Sequence, residues 1–446
     1  MALTGIQIFK LLPKTNCGEC GVPTCLAFAM NLAAGKAELD SCPYVSAEAR
    51  EQLAEASAPP IRPVTIGSGD TAVKVGGETV LFRHEKTFFN PCAFAGALKD
   101  TDGDIADKVK RWAKLQWERV GLNLRPELVF LTCASGDAGK FAAAAKAVTD
   151  NSDLSLILAC EDPAVLGPVA EQFKDKKPLL YAATQANADK MCAIAGATGC
   201  PLVVKGVDLE DVMALTAELT EAGLKDLIID SGARDLAGIF EDNISTRRAA
   251  LLKGNRALGF SPISFANAVG ADLAEQTVAA AAMVAKYSGI IVLDDFQAES
   301  IFPLLLERLN IYTDPQRPMT VTQGIFEIGG PGPDSPVAIT TNFSLTYFIV
   351  SGEIESSRVP TWLLIKDTEG LSVMTAWAAG KFSGDDVGMF VKKSGIDQKV
   401  NHKSLIIPGY AAAIAGDLEE ELPGWNIMIG PREAGHLPKF LKEWKA

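Results

Sequence analysis

The sequence predicts an α/β chain in three parts: a small N-terminal module held by cysteines, a central (β/α)8 TIM barrel, and a C-terminal Rossmann-like α/β sheet. Three observations carry that expectation. Four of the nine cysteines stand at positions 17, 20, 25 and 42. Between about residue 60 and residue 325, eight short β-rich apolar runs alternate with Ala-rich amphipathic stretches. This is the size and rhythm of a barrel, with a doubly wound sheet as the alternative. A Gly/Pro-rich junction, Gly329-Gly330-Pro331-Gly332-Pro333, then precedes a second, shorter alternation. The expected domain limits are 1–58, 59–325 and 326–446.

Composition bounds the rest. The 446 residues are 48% hydrophobic and 22% charged, which suits a globular chain with a large core. A net charge of −13 argues against nucleic acid and against an anionic membrane surface as partners. The most apolar stretch, Val278 to Leu293, is interrupted by Lys286, so no membrane span is expected. The N-terminus has no basic region followed by an apolar run. Cys92, Cys133, Cys160, Cys192 and Cys200 follow no pairing pattern, which fits a reducing cytoplasm and the behaviour of small buried hydrophobes.

In the N-terminal module the spacing is C-x2-C-x4-C-x16-C, within Asn16-Cys17-Gly18-Glu19-Cys20-Gly21-Val22-Pro23-Thr24-Cys25 and Cys42-Pro43. Four thiolates from one tight turn and one return make a site for a soft metal centre. A [4Fe-4S] cluster, zinc, or unligated core cysteines are the readings; the Cys-Pro ending is that of many iron–sulfur loops, and no His stands nearby to suggest zinc. Thr24 to Met30 reads as a helix running to a Gly35 C-cap, and 46–56 as a second helix capped by Ser46. Ala58-Pro59-Pro60-Ile61-Arg62-Pro63 reads as a stiff linker that leaves the module mobile.

The strands expected in the barrel are Thr79–Arg83, Leu128–Thr132, Leu154–Ala159, Leu179–Ala183, Leu202–Lys205, Leu227–Asp230, Ile263–Phe265 and Ile290–Leu293. Helices are expected at Lys140–Thr149, Leu209–Ala222 and Ala271–Tyr287. Polar residues collect after the strands at Glu161-Asp162, Asp230-Ser231 and Asp294-Asp295, either as a pterin-type site or as helix caps and solvated loop ends. His84, His402 and His436 offer no Ser/His/Asp order, and neither a P-loop nor a dinucleotide fingerprint occurs.

In the last third, Val337–Thr341, Trp362–Lys366, Leu405–Ile407 and Ile427–Ile429 read as strands, and Leu345–Ser351 as a short element. Three loops should converge beyond the strand ends: Thr368–Thr375, Pro408–Ala412 and Gly430–Gly435. Their small residues would let a flat, bulky ring approach the backbone. Hydroxyls of Thr340, Thr341, Ser344, Thr346, Ser372 and Thr375 could bond its amides. Tight helix–sheet packing with capping Ser and Thr would leave the same pattern.

Three strings tie the two ends together: C-G-E-C-G-V-P-T-C at 17–25 with Cys42, T-T-N-F-S-L-T-Y at 340–347, and E-G-L-S-V-M-T-A-W at 369–377. On them the chain resembles, over essentially its full length, the large (gamma) subunit family of corrinoid iron–sulfur proteins of the acetyl-CoA decarbonylase/synthase system. The resemblance implies that Cys17, Cys20, Cys25 and Cys42 ligate a [4Fe-4S] cluster. It implies that Thr340, Thr346, Gly370, Leu371, Ser372, Val373 and Glu433 line a cobalamin-type corrinoid, with Thr375 close to its face. No side chain is then catalytic, because the chemistry belongs to the cobalt. The implied role is a methyl carrier, a corrinoid-dependent methyltransferase component. Implied partners are a small subunit in a heterodimer, a methyltetrahydrofolate methyltransferase, CO dehydrogenase/acetyl-CoA synthase and a low-potential electron donor. The D-x-H-x-x-G signature that would offer cobalt a His is missing, since Phe82, Val400 and Ala434 stand two places before the three His. A pure iron–sulfur electron-transfer protein and a methyltransferase binding pterin in the barrel are the alternatives.

Overall fold

The structure is a computed structural model that describes residues 5–33, 37, 39–46, 49, 50, 53, 59–119, 122–314 and 318–445. Gly35, most of the expected 46–56 helix and Ala58 lie outside the described residues. The chain divides into two units, Met1–Gln116 with Arg125–Tyr312, and Trp117–Leu124 with Thr313–Ala446.

In the first unit, helices Gly5–Leu11 and Cys25–Ala33 pack around a small core of Ile8, Leu12, Phe28, Ala29, Val45 and Leu53. The described part of the expected linker is anchored rather than free. Arg62 and Ile61 are buried, the Arg62 amide bonds Gly259 O at 2.9 Å, and Arg256 reaches Pro59 O at 3.0 Å. Its three prolines suit an extended segment, but that segment packs against the barrel. Strands β1 (Val64–Ile66) and β2 (Val73–Val75) pair antiparallel, and Val64, Ile66 and Val75 enter the barrel core.

The expected barrel is present. Eight parallel strands close in chain order: β3 (Ala93–Lys99), β6 (Leu128–Thr132), β7 (Ser155–Ala159), β8 (Leu179–Ala183), β9 (Leu202–Lys205), β10 (Leu227–Asp230), β11 (Ser261–Phe265) and β12 (Ile290–Leu293). Their near-continuous apolar runs follow from burial on both faces. Aspartates after the strands start the helices: Asp137, Asp162, Asp208, Asp235 and Asp272 each accept a backbone N–H of the first turn.

The first strand is displaced from its expected place. Thr79–Arg83 is not a strand. Its backbone partners lie elsewhere, with the amides of Leu81 and Phe82 on Glu85 Oε2 at 3.1 and 3.0 Å and Val80 O on Arg247 at 2.7 Å. The strand is Ala93–Lys99, an Ala/Gly-rich run of low β-propensity. Gly96 is required there, because a Cβ would stand 2.6 Å from the buried Trp112 ring.

In the second unit, β4 (Trp117–Arg119) pairs antiparallel with β5 (Leu122–Leu124). The main sheet runs β13 (Gly324–Ile328), β15 (Thr361–Lys366), β14 (Val337–Thr341), β16 (Ser404–Ile407), β17 (Asn426–Ile429). All strands are parallel except β13. The expected short element at Leu345–Ser351 lies within a 14-residue helix, Ser344–Ser357.

Candidate functional site

The four N-terminal cysteines are free thiols in one small module. Cys17 is exposed and Cys20 half-buried on a loop, where Gly18 and Gly21 take φ of +79° and +82°, conformations that L side chains rarely adopt. Cys25 is buried as the first residue of its helix, and Cys42 is buried after a short turn. Asn16 Oδ1 accepts the Cys25 amide at 2.8 Å and fixes the loop to the helix start. The Tyr44 hydroxyl donates to Glu19 at 2.8 Å, which raises its pKa, and it senses Cys17 and Cys42 nearby. As placed, no three His, Cys, Asp or Glu side chains converge as a metal-holding set among the described residues. The structure therefore brings the four thiols into one module but not into a finished coordination sphere. The donor set itself, four thiols without imidazole, suits an iron–sulfur cluster.

The second site is a cavity of about 340 Å³ at the carboxyl ends of β14, β16 and β17. It opens where the strand order reverses, because β15 lies on one side of β14 and β16 on the other. β14 and β16 share only the Ala338–Ile406 pair, so the two strands leave a crevice beyond it. Gly409 holds the second and third loops together: a Cβ there would stand 2.6 Å from Gly430 O and 2.7 Å from Arg432 N. Tyr410 donates to Glu433 Oε1 at 3.0 Å, and that bond raises the Tyr410 pKa. The Arg432 guanidinium lies 6.0 Å from the Tyr410 ring.

Of the residues expected here, Thr340, Thr346, Val373 and Glu433 line the cavity together. Gly370, Leu371, Ser372 and Thr375 are not among its lining. The Gly370 amide bonds Asn342 Oδ1 at 3.0 Å, Leu371 O accepts from Thr368, and the Ser372 and Thr375 hydroxyls bond each other at the surface, 3.1 Å apart. Sequence reasoning missed Ile349 and Val350, which line the cavity from the helix taken for a short element. It also missed Asn342. This buried side chain accepts from Thr368 N, Thr368 Oγ1 and Gly370 N and donates to Asp367, so it pins the first loop.

Three hydroxyls near the end of β14, on Thr340, Thr341 and Ser344, are buried without a hydrogen-bond partner among the described residues, and of these Thr340 lines the cavity. Buried hydroxyls are rarely left unpaired, so they fit a ligand that presents several amides. None of the three histidines lines the cavity.

The acids at the barrel mouth are engaged. Asp230 accepts from Tyr181 at 2.7 Å and from Arg234 at 2.8 and 2.9 Å. Burial and then Asp230 push the Tyr181 pKa far up. Asp162 caps its helix, Glu161 pairs with Lys205 at 2.6 Å, and Asp295 accepts from Trp112 and Arg111. Asp294 accepts from Asn267 and Gln276. These are capping and structural roles, and all five carboxylates of those three strand-end pairs have partners. Among the described residues no helix is long and apolar enough to cross a membrane.

Comparison with known proteins agrees with both ends of the chain. Residues 63–441 match the family described as CO dehydrogenase/acetyl-CoA synthase delta subunit, and residues 12–44 match an Fe-S cluster family. The chain is 44% identical over 444 residues to the corrinoid/iron-sulfur protein large subunit of Moorella thermoacetica, covering 99% of each. It is 37% identical to the acetyl-CoA decarbonylase/synthase complex subunit gamma of Methanopyrus kandleri, covering 99% of this chain and 98% of that one. The same subunit of Methanothermobacter thermautotrophicus is 35% identical, with 99% of both covered. The delta-type match begins after the cysteine module, whereas the large and gamma subunits align through it. The chain therefore belongs to the family of corrinoid/iron-sulfur protein large subunits and acetyl-CoA decarbonylase/synthase gamma subunits.

Proposed function

We propose that this chain is a methyl carrier that binds a corrinoid in its C-terminal cavity and an iron–sulfur cluster, of the [4Fe-4S] type, on Cys17, Cys20, Cys25 and Cys42. The observation that carries the reading is the orphaned buried hydroxyl of Thr340 in the lining of a crevice at the sheet's switch point, with two more orphaned hydroxyls, Thr341 and Ser344, close by in sequence. A bound corrinoid supplies a cobalt that takes up and passes on a methyl group, and a bound cluster supplies single electrons that return it to its reactive state.

The protein's part is to hold, orient and exclude water. The Thr340 hydroxyl would bond a peripheral amide of the ligand, and Gly409 lets the two loop backbones approach each other on the cavity wall. Tyr410 and Glu433 fix each other on the cavity wall. No His stands in the lining, so a corrinoid held here would be offered no imidazole from the cavity wall. Leu345, Ile349, Met374, Trp377 and Tyr410 are exposed apolar side chains of the same unit, which suits a covering partner; a small corrinoid iron–sulfur subunit in a heterodimer is the one we propose. A methyltetrahydrofolate methyltransferase would then be the methyl donor, CO dehydrogenase/acetyl-CoA synthase the acceptor, and a low-potential protein the electron source, all in the cytoplasm.

The test is cobalt and iron content, with a visible spectrum, for the anaerobically isolated full chain with and without its small subunit. One cobalt per complex and a corrinoid band that shifts on reduction are expected. Iron without cobalt in the assembled complex would leave only an electron-transfer role, and zinc in place of iron would remove the electron source.

A further inference from the structure

At the barrel mouth, Thr132 on β6 is in register with Ala159 on β7, and the Cys133 amide bonds Ala159 O at 2.9 Å. The residues that follow each strand, Cys133 and Cys160, are therefore neighbours across the two strand ends. Adjacent strands lie about 4.8 Å apart, inside the window of about 4.4–6.8 Å between Cα atoms that a disulfide accepts. In-register side chains leave a sheet on the same face, and here the two thiols are close enough to shift each other's pKa, while the Cys160 thiol donates to Asp162 O at 3.7 Å. Both are free, both are only half-buried, and both line a cavity of about 540 Å³ at the barrel's carboxyl end. Cys92 and Cys200, by contrast, are buried, and Cys192 is a half-buried thiol on the Ala188–Thr198 helix.

We propose that Cys133 and Cys160 are a modification site: a vicinal dithiol that a low-molecular-weight disulfide closes into a cross-strand disulfide. In the first step one cysteine sulfur attacks the small disulfide, forming a mixed disulfide and releasing one small thiol. In the second, the neighbouring cysteine sulfur attacks that mixed disulfide, forming the Cys133–Cys160 bond and releasing the second small thiol. The two protein thiols lose two electrons and two protons, and the small disulfide gains them as two thiols. The same pair would chelate a trivalent organoarsenical, the two S–H protons leaving with the arsenical oxygen as water.

The surroundings set how readily this happens. Asp100 after β3, Glu161 and Asp162 after β7, Tyr181 on β8 and Arg234 after β10 face the pair or line its cavity. Burial pushes the Cys160 pKa up to about 11, opposed by the hydrogen bond to the Asp162 carbonyl and reinforced by the neighbouring thiol and the Asp162 charge, and burial raises that of Cys133 as well. Both therefore rest as thiols near neutral pH, and closure needs a supplied disulfide. The site is independent of the four N-terminal cysteines.

The full chain, kept anaerobic until treatment, is exposed to glutathione disulfide, quenched with acid, alkylated and digested with trypsin. The expected product joins the peptide ending at Lys140 to the peptide ending at Lys174, two hydrogens lighter than the reduced pair and free of glutathione. Cys192, a lone half-buried thiol, reports that the reagent reached the protein. Glutathione on both Cys133 and Cys160 of one molecule, or both unmodified while Cys192 is modified, would overturn the proposal. In Cys133→Ser, Cys160 should stop at the stable glutathione adduct; should that variant misfold, Cys160→Ser gives the same reading from Cys133. Phenylarsine oxide should protect these two positions together from alkylation in the untreated protein, and protection of neither would refute the pairing.

Discussion

Replacing Thr340 by Val separates what the cavity costs the fold from what it gives the ligand. Thr340 is 2% exposed, and its hydroxyl has no partner among the described residues. Val fills the same volume without the hydroxyl. A buried unpaired polar group costs about 1–3 kcal/mol, so the ligand-free variant should be more stable by about 1–2 kcal/mol. For a unit of this size that is a rise in Tm of roughly 3–6 °C. The same hydroxyl, once it bonds a ligand amide, contributes about 0.5–1.5 kcal/mol, so Val should weaken corrinoid binding by roughly 2- to 13-fold. The assay is a pair of measurements on the full chain: thermal unfolding of the C-terminal unit without corrinoid, and a titration with a cobalamin followed by its visible spectrum. A variant that melts lower when ligand-free, or that binds corrinoid as tightly as the parent, would refute the reasoning.

Three further predictions follow from other contacts. Gly409→Ala forces a methyl group to within 2.6 Å of Gly430 O, so it should cost about 1–3 kcal/mol and at least tenfold in corrinoid affinity while iron content stays unchanged; equal affinity would show that the two loops need not touch. Cys25→Ser or Cys42→Ser should abolish most bound iron, measured by chelator assay, whereas Cys192→Ser should leave it intact. Arg247→Met leaves Glu78 buried without the partner now 3.2 Å away, at a cost of about 3–5 kcal/mol at neutral pH. Burial already raises the Glu78 pKa and Arg247 opposes that rise, so the variant's folded value must climb further above the unfolded value of about 4.3. Stability from a raised carboxyl is present below the unfolded value and lost as pH rises through the folded one. The deficit in denaturant melts should therefore shrink as pH falls toward about 4.3, and a deficit independent of pH would refute the assignment.

The barrel was legible where its strands are what burial on both faces demands. Leu154–Ala159 stands between Asp153 and the Glu161-Asp162 pair and Leu227–Asp230 between Asp226 and Gly232, and seven of the eight expected barrel strands are present at their expected places. The first was not legible, because Ala93–Lys99 carries Gly96 against the Trp112 ring, a contact that local composition does not announce. Thr79–Arg83 mimicked a strand through local composition alone. The helix Ser344–Ser357 was hidden by Thr346, Tyr347, Phe348, Ile349 and Val350, β-formers that tertiary packing overrides. At the candidate site the three loops could be named from their small residues. Which side chains face inward depends on how each loop is tied, and Asn342, lying far from the loop it pins, carries no local mark of that duty.

The single strand that runs against its neighbours has a mechanical consequence. β13 covers the outer amides of β15, and Lys399 stands over the Trp362 ring while pairing with Glu327 of β13. That flank of the sheet is guarded and charged, which discourages edge-to-edge association. The opposite flank, β17, is held by β16 alone and is only partly covered. Its amides should be the first of the sheet to exchange with deuterium. The wall that follows it, from Gly430 to Gly435, is thus the one best able to swing aside and admit a large ring, then settle behind it.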